Sequence, residues 1–202
     1  MIAQSASVMI AFFHFDQEKD RSLCYNEKNC LGREEKTMFR DMRRKNQLLP
    51  MEEAEEILRR ATSGVLALTG DDDYPYAVPM SHLYHEGALY FHSGISGHKA
   101  DAVRRQGKAS FCVIAQKDVV SETFSTRYQS VIAFGQIRII EDPAEKLRAI
   151  RTLAERFSPG LHQAAQKEID ESWDHLLMFK LEIEHLTGKE AKSLMQERKE
   201  HA

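Results

Sequence analysis

The stretch His92-Ser93-Gly94-Ile95-Ser96-Gly97-His98-Lys99 crowds histidine, serine, glycine and lysine into eight consecutive positions. It lies between an apolar run that reads as a strand and "KADAVRRQG", which reads as a helix. With Ser96 as N-cap, Gly97, His98 and Lys99 fall in the first helical turn, where backbone N–H groups lack intrahelical acceptors. An anion placed there gains the helix dipole and the charge of Lys99. The glycines let the backbone approach a phosphate closely, and His98 adds a further donor. The same eight residues also describe a flexible glycine-serine turn carrying an exposed lysine. Spacing alone does not separate the two readings.

A metal site is a third reading, built from His82, His85, His92 and His98, with Cys112 as an optional further ligand. The spacing opposes it, because strand residues three apart point to opposite faces, and no helical His pair or Cys pair is present. Cys112 lies in an alternating strand, shares a face with Ser110 and Ile114, and reads as a small hydrophobe in or near the core. Trp173 reads as a packing residue. No nucleophile elbow, phosphate-binding loop or dinucleotide fingerprint is visible. His82, His85 and His92 titrate near neutral pH and are candidate proton donors. As surface or interface histidines they need no such role, and no catalytic residue is assigned.

The elements that must position this stretch are legible from periodicity. From Pro50, "PMEEAEEILRRATSG" reads as a helix with Ala54, Ile57, Leu58 and Ala61 on one face, ending at Gly64. "GVLALTG" is a short strand and "DDDYP" a turn. "YAVPMSHLYHEGALYFHS" reads as a hairpin turning near Glu86-Gly87, and Pro79 marks its first arm as an edge strand or bulge. Gly107 reads as the C′ residue of the helix after Lys99. "KASFCVIAQ" alternates, and "RYQSVIAFGQIRIIED" is a long strand with a bulge expected at Gly135. Asp142-Pro143 starts a helix with Leu147, Ile150, Leu153 and Ala154 inward. A polar helix over 163–174 precedes a strand with Leu177, Phe179, Leu181 and Ile183 on one face. About six strands without a βαβ rhythm point to an antiparallel barrel with peripheral helices.

The 202-residue chain suits one domain with an appendage. Hydrophobic residues make up 42%, enough for a sizeable core, and the net charge of −3 gives no sign of a nucleic-acid or membrane partner. The three cysteines, Cys24, Cys30 and Cys112, are too sparse for a disulfide framework and suit a reducing cytoplasm. Residues 1–37 lack clean periodicity, and "MFRDMRRKNQLL" reads as a fresh beginning at Met38. The expectation is an upstream start or a flexible arm.

Four segments, "MFRDMRRKNQLL", "GVLALTGDDDYPYAVPMSHLYHEGALYFHSGISGHKADAVRRQGKASFCVI", "FSTRYQSVIAFGQIRIIED" and "LEIEHLTGKEA", occur in an order that resembles the pyridoxamine 5′-phosphate oxidase-like flavoproteins. The nearest branch is that of the nitroimidazole-resistance, or Nim-like, proteins. The resemblance implies a domain over 38–192, an N-terminal extension over 1–37 and a solvated tail over 193–202. The implied fold is mainly β with peripheral helices: a six-stranded Greek-key split β-barrel, the FMN-binding split barrel, forming a homodimer with FMN at the subunit interface. By the same resemblance, Tyr76, Ala77, Val78, Pro79, Met80 and Ser81 run along the flavin. His92 and Ser93 lie beside the ribityl phosphate, and His98 and Lys99 form a basic pair that holds it. The implied activity is a cytoplasmic FMN-dependent oxidoreductase reducing a small, electron-poor molecule such as a nitroaromatic. The alternative is a flavin- or haem-binding member without a reaction. One departure is plain: the oxidase proper carries an Arg and a Lys on the first flavin-contacting strand, where this chain has "YAVPMSH".

Overall fold

The computed structural model describes residues 38–200. The extension over 1–37, with Cys24 and Cys30, lies outside the described residues. Helix α1 (Met51–Arg60) starts behind Pro50 and carries Glu52 and Glu53 in its first turn and Arg59 and Arg60 in its last, matching the helix dipole. Ala54, Ile57 and Leu58 are its buried face. The helix ends at Arg60, not Gly64, which already belongs to strand β1 (Ser63–Thr69).

Six further strands complete the set: β2 (Pro75–Ser81), β3 (Leu83–His85), β4 (Ala88–Gly94), β5 (Lys108–Val120), β6 (Ser125–Ile139) and β7 (Leu176–Glu190). All seven form one antiparallel sheet in the order β2-β1-β5-β6-β7-β4-β3. The sheet curls into a half-barrel with helices around it, the split β-barrel expected from the sequence, with seven strands in place of six. The expected long hairpin divides in two. Only β3 and β4 form it, through Glu86 and Gly87, both at positive φ. Strand β2 pairs with β1 alone and is a sheet edge, as Pro79 required.

The strands at the two ends of the sheet order are therefore β2 and β3, yet only His82 separates them in sequence. That single-residue link forces the sheet to curve until its edges meet there. His82 is fully buried. Its Nε2 donates to the carbonyl oxygen of Leu58 at 2.9 Å, and its ring meets Phe111 edge-on at 4.8 Å between centroids. Leu58 lies in the last turn of α1, where carbonyls lack intrahelical partners. The histidine thus closes the sheet and caps the helix together.

Bulges shape the long strands. At Gly135 the β6–β7 register shifts, and a Cβ there would collide with the carbonyl oxygen of Glu182, so only glycine fits. On β5 the register shifts past Ile114, leaving Ala115 unpaired. Helix α2 (His98–Arg105) packs beneath β1 and β6. Helix α3 (Pro143–Phe157) is capped by Asp142, which accepts from the backbone N–H groups of Ala144 and Glu145, and it buries Ile150, Leu153 and Ala154 as expected. Helix α4 (His162–Ser172) begins after the break at Gly160. Two cores result, one inside the sheet around Phe91, Phe111 and Phe179, the other between α3 and the sheet around Tyr90 and Met178.

The expected solvated tail instead forms α5 (Lys192–Glu200), which buries Met195. Arg198 donates to the buried Glu190 at 2.6 Å, and Arg127 grips Glu197 with two hydrogen bonds. Gln47 donates to the backbone oxygen of Glu190 at 3.0 Å, and Leu48 bridges to Lys189. The segment entering the fold and the helix leaving it therefore meet at the end of β7. No helix among the described residues is long and apolar enough to cross a membrane.

Burial depresses the pKa of His82 to about 4, against its ordinary 6.5, with the nearby Arg156 charge adding to the effect. Because the folded value is the lower one, the unfolded chain binds the extra proton as pH falls below 6.5, and stability declines until about pH 4. Between neutral pH and about pH 4.5 the loss from this one group amounts to roughly 2 to 3 kcal/mol. Urea unfolding of the wild type across this range should show it, and His82→Gln should lack that share of the pH dependence. Identical pH profiles for the two proteins would contradict the assignment.

Candidate functional site

Strand β4 carries His92 and Ser93 at its end, and α2 begins four residues later, at His98. The N-cap is Gly97, not Ser96. Its φ of 105° lies in a region that glycine tolerates and other residues do not, and no side chain caps the turn. The backbone N–H groups at the helix start are therefore open toward the loop. A Cβ at Gly94 or Gly97 would meet nothing within 4 Å. Gly107 does follow the C-cap residue Gln106, at C′, but without a left-handed backbone, and its carbonyl accepts from Ile137 N–H at 2.6 Å. The loop has firm footings, since Arg104 donates to the carbonyl of Ile95 at 2.8 Å and Ile95 N–H donates to the carbonyl of His175 at 3.1 Å.

The basic pair is split by the geometry. His98 stacks on Tyr76 of β2, with 4.0 Å between ring centroids, and its Nε2 lies 3.7 Å from the Asp71 carboxylate. Asp71 is also held by Arg105 at 3.1 Å. Lys99, next in sequence, turns elsewhere. Its half-buried ammonium donates to the thioether of Met80 at 3.2 Å and meets no carboxylate among the described residues. Burial lowers its pKa from the ordinary lysine value. A thioether is a weak acceptor, so Lys99 is placed but not neutralised.

Along β2 the alternation separates the six residues indicated by resemblance. Tyr76, Val78 and Met80 pack toward the inner core, while Ala77, Pro79 and Ser81 are exposed. His92 and Ser93 separate in the same way. Ser93 shares the side of Phe91 and is buried; His92 shares that of Tyr90, toward α3, leaving its Nδ1 buried without a partner. Burial, then the charge of Lys99, holds the His92 pKa below the ordinary histidine range. Its neutral form is favoured by that burial. His82 is committed to Leu58 and its lowered pKa removes it as a proton donor. His85 sits at the opposite end of the β3–β4 hairpin, 3.8 Å from Glu86. The four histidines are not brought together, and no cluster of three metal-ligating side chains exists among the described residues.

Cys112 lies on the outer sheet face, only partly covered, rather than in the core. Two surface clefts lie elsewhere. One of about 470 Å³ runs between α2 and the start of α3, and another of about 260 Å³ lies beside the end of α1. The charges around the first are paired with each other, as Arg138 and Lys180 are with Glu145 and Glu182. Neither cleft is lined by residues 92–99. Asp71, Arg104 and Arg105 were not legible as site residues, because Asp71 and Arg105 are 34 positions apart in sequence.

A split β-barrel with an open helix start and a charged, uncommitted lysine at one corner is the class of protein these features define. The model of the pyridoxamine 5′-phosphate oxidase family matches residues 50–190, and the chain belongs to that family. No curated protein matches significantly. Among solved structures, a candidate 5-nitroimidazole antibiotic resistance protein from Bacteroides thetaiotaomicron superposes with a TM-score of 0.61 at 23% identity, covering 70% of this chain and 85% of that one. A conserved hypothetical protein from Mycobacterium tuberculosis gives 0.65 at 17% identity, covering 76% and 92%. An FAD- and haem-binding protein from Mycobacterium smegmatis gives 0.59 at 23% identity, covering 72% and 74%.

The proximity of Lys99 and His92 can be measured directly. Removing a neighbouring positive charge favours the protonated imidazole, so Lys99→Met should raise the His92 pKa toward its ordinary value. Histidine NMR titration of wild type and variant reads this shift, and an unmoved His92 would show that the two charges do not communicate.

Proposed function

We propose that the protein binds FMN, with the flavin phosphate at the start of α2 beside Lys99. The observation that carries this reading is the Lys99 ammonium, half-buried at a helix N-terminus and resting on a thioether without a carboxylate partner among the described residues. The residues fit a phosphate. The open Cβ directions at Gly94 and Gly97 leave room for it, the first-turn N–H groups face it, and the unpartnered His92 Nδ1 supplies a neutral polar group nearby. Family membership supports a flavin, and the name of the M. smegmatis protein, which binds FAD and haem, points the same way.

A bound flavin supplies electron-transfer chemistry; the residues of this chain position it. Strand β2 offers an edge whose outer backbone groups have no strand partner, and the inward side chains of Tyr76 and Met80 set its distance from α2. The substrate in this reading is a small, electron-poor molecule of the nitroaromatic kind, and the site is cytoplasmic. His82, bonded to Leu58 and held neutral by burial, is not the proton donor in this reading.

The working unit in this reading is a homodimer, with the flavin between the copies. The outer sheet face carries an apolar row, in register across four strands, of Pro79, Val65, Cys112 and Ile132. The Ala115 bulge restores the alternation so that Ile114, 65% exposed, and Val119, 72% exposed, lie on that same face. An apolar stripe of this extent is poorly suited to water.

Three measurements test this. Sedimentation at micromolar concentration should give the mass of two chains; a single-chain mass would oppose an interfacial flavin. Titrating FMN and riboflavin into wild type and Lys99→Ala should show FMN affinity falling about 10- to 100-fold, the loss of a charge-assisted hydrogen bond of about 1.5–3 kcal/mol, with riboflavin nearly unchanged. A Soret band in the purified protein would indicate haem instead.

A further inference from the structure

We infer that His82 is a positioning residue for the anion corner, setting through Met80 the placement of the Lys99 ammonium. The inference rests on the flavin-phosphate reading and concerns a residue outside that site. Strand β2 is held by hydrogen bonds along one edge only, to β1. Its far end is fixed by the residue after Ser81, His82, which is buried against Phe111 and bonded to the Leu58 carbonyl at 2.9 Å. Met80 precedes His82 by two residues, is itself buried, and provides the acceptor on which Lys99 rests at 3.2 Å. A chain of contacts therefore runs from the last turn of α1, through His82 and β2, to the first turn of α2.

The composition of that chain suits its task. A carboxylate at position 80 would place Lys99 equally well but neutralise it. A purely aliphatic residue would leave the ammonium without an acceptor. The thioether holds the ammonium weakly, so an arriving dianion displaces it at little cost. Placement then depends on where Met80 stands. The ladder with β1 pairs Met80 with Gly64 and ends one residue later, at Ser81, and His82 anchors the strand immediately beyond that end. An aromatic residue of similar shape without the N–H donor would keep the packing and lose this anchor.

The test compares His82→Phe, His82→Gln and Met80→Leu with wild type, each checked for cooperative unfolding. FMN and riboflavin are titrated by fluorescence. His82→Phe and Met80→Leu should each weaken FMN about tenfold and riboflavin about twofold or less, the size expected for one misplaced charge-assisted contact. His82→Gln, which keeps a donor, should recover most of the FMN affinity. A purely structural role would lower both ligands together, and that result, or an unchanged FMN-to-riboflavin ratio, overturns the inference. If His82→Phe does not fold, the ratio in Met80→Leu decides. Lysine-selective NMR of Lys99 provides a readout without flavin. Wild type that takes up neither flavin defeats the flavin reading, whereas a Lys99 resonance unmoved in both Met80→Leu and His82→Phe defeats this inference.

Discussion

The fold depends on one closure. The two edges of a seven-stranded sheet are joined by a single residue, and that residue must be buried where the edges meet. A buried side chain at such a corner faces opposed demands. It must fill space beside Phe111, and it must satisfy a carbonyl that the end of α1 leaves without a helical partner. A neutral imidazole meets both, with a flat apolar face and an N–H at its rim. Its burial keeps it neutral, and its neutrality makes the burial tolerable. The half-barrel, the seating of α1 and the course of β2 all depend on this contact.

At the candidate site the same economy of charge recurs. Two basic residues stand side by side at the start of α2, and the structure gives them different surroundings. His98 is stacked and faced by a carboxylate, while Lys99 is set on sulfur. Consecutive helix residues are rotated by about 100°, so a carboxylate that serves one need not reach the other. The result is one ammonium without a carboxylate partner among the described residues at a helix start, in a chain whose net charge is −3. The anion proposed for this corner would need no broad basic surface around it.

Much of this was legible in the sequence, for reasons that can be named. Gly135 stood out because an apolar strand rarely carries glycine without a close backbone approach, and the Glu182 carbonyl provides one. Asp142-Pro143 announced α3 through a cap and a fixed φ, both local effects. Pro79 placed β2 at an edge because it cannot donate to a second neighbour. The eight residues from His92 to Lys99 announced an open helix start. What the sequence hid was non-local. The break at His82 depends on Leu58, 24 residues earlier, and the separate fates of His98 and Lys99 depend on Asp71 and Met80. The cap at Gly97 in place of Ser96 reflects a backbone angle that composition does not specify. Helix α5 was read as solvent-exposed because its anchor, Arg198 on Glu190, joins two charged residues that look soluble apart and are stable only together.

The meeting of Gln47, Glu190 and Arg198 at the end of β7 has a consequence for rearranging the chain. Both margins of the domain converge on one strand end. A short connector between them would span little distance, so the order of segments can be rotated around the barrel, or a guest domain spliced in, while each strand keeps its neighbours. New ends are tolerated at an exposed turn such as Glu86-Gly87, where no pairing crosses the tip. They are not tolerated between Ser81 and Leu83, where the cut would release both free edges of the sheet at once. One corner of the molecule is therefore a hinge for sequence engineering, and the opposite corner is its keystone.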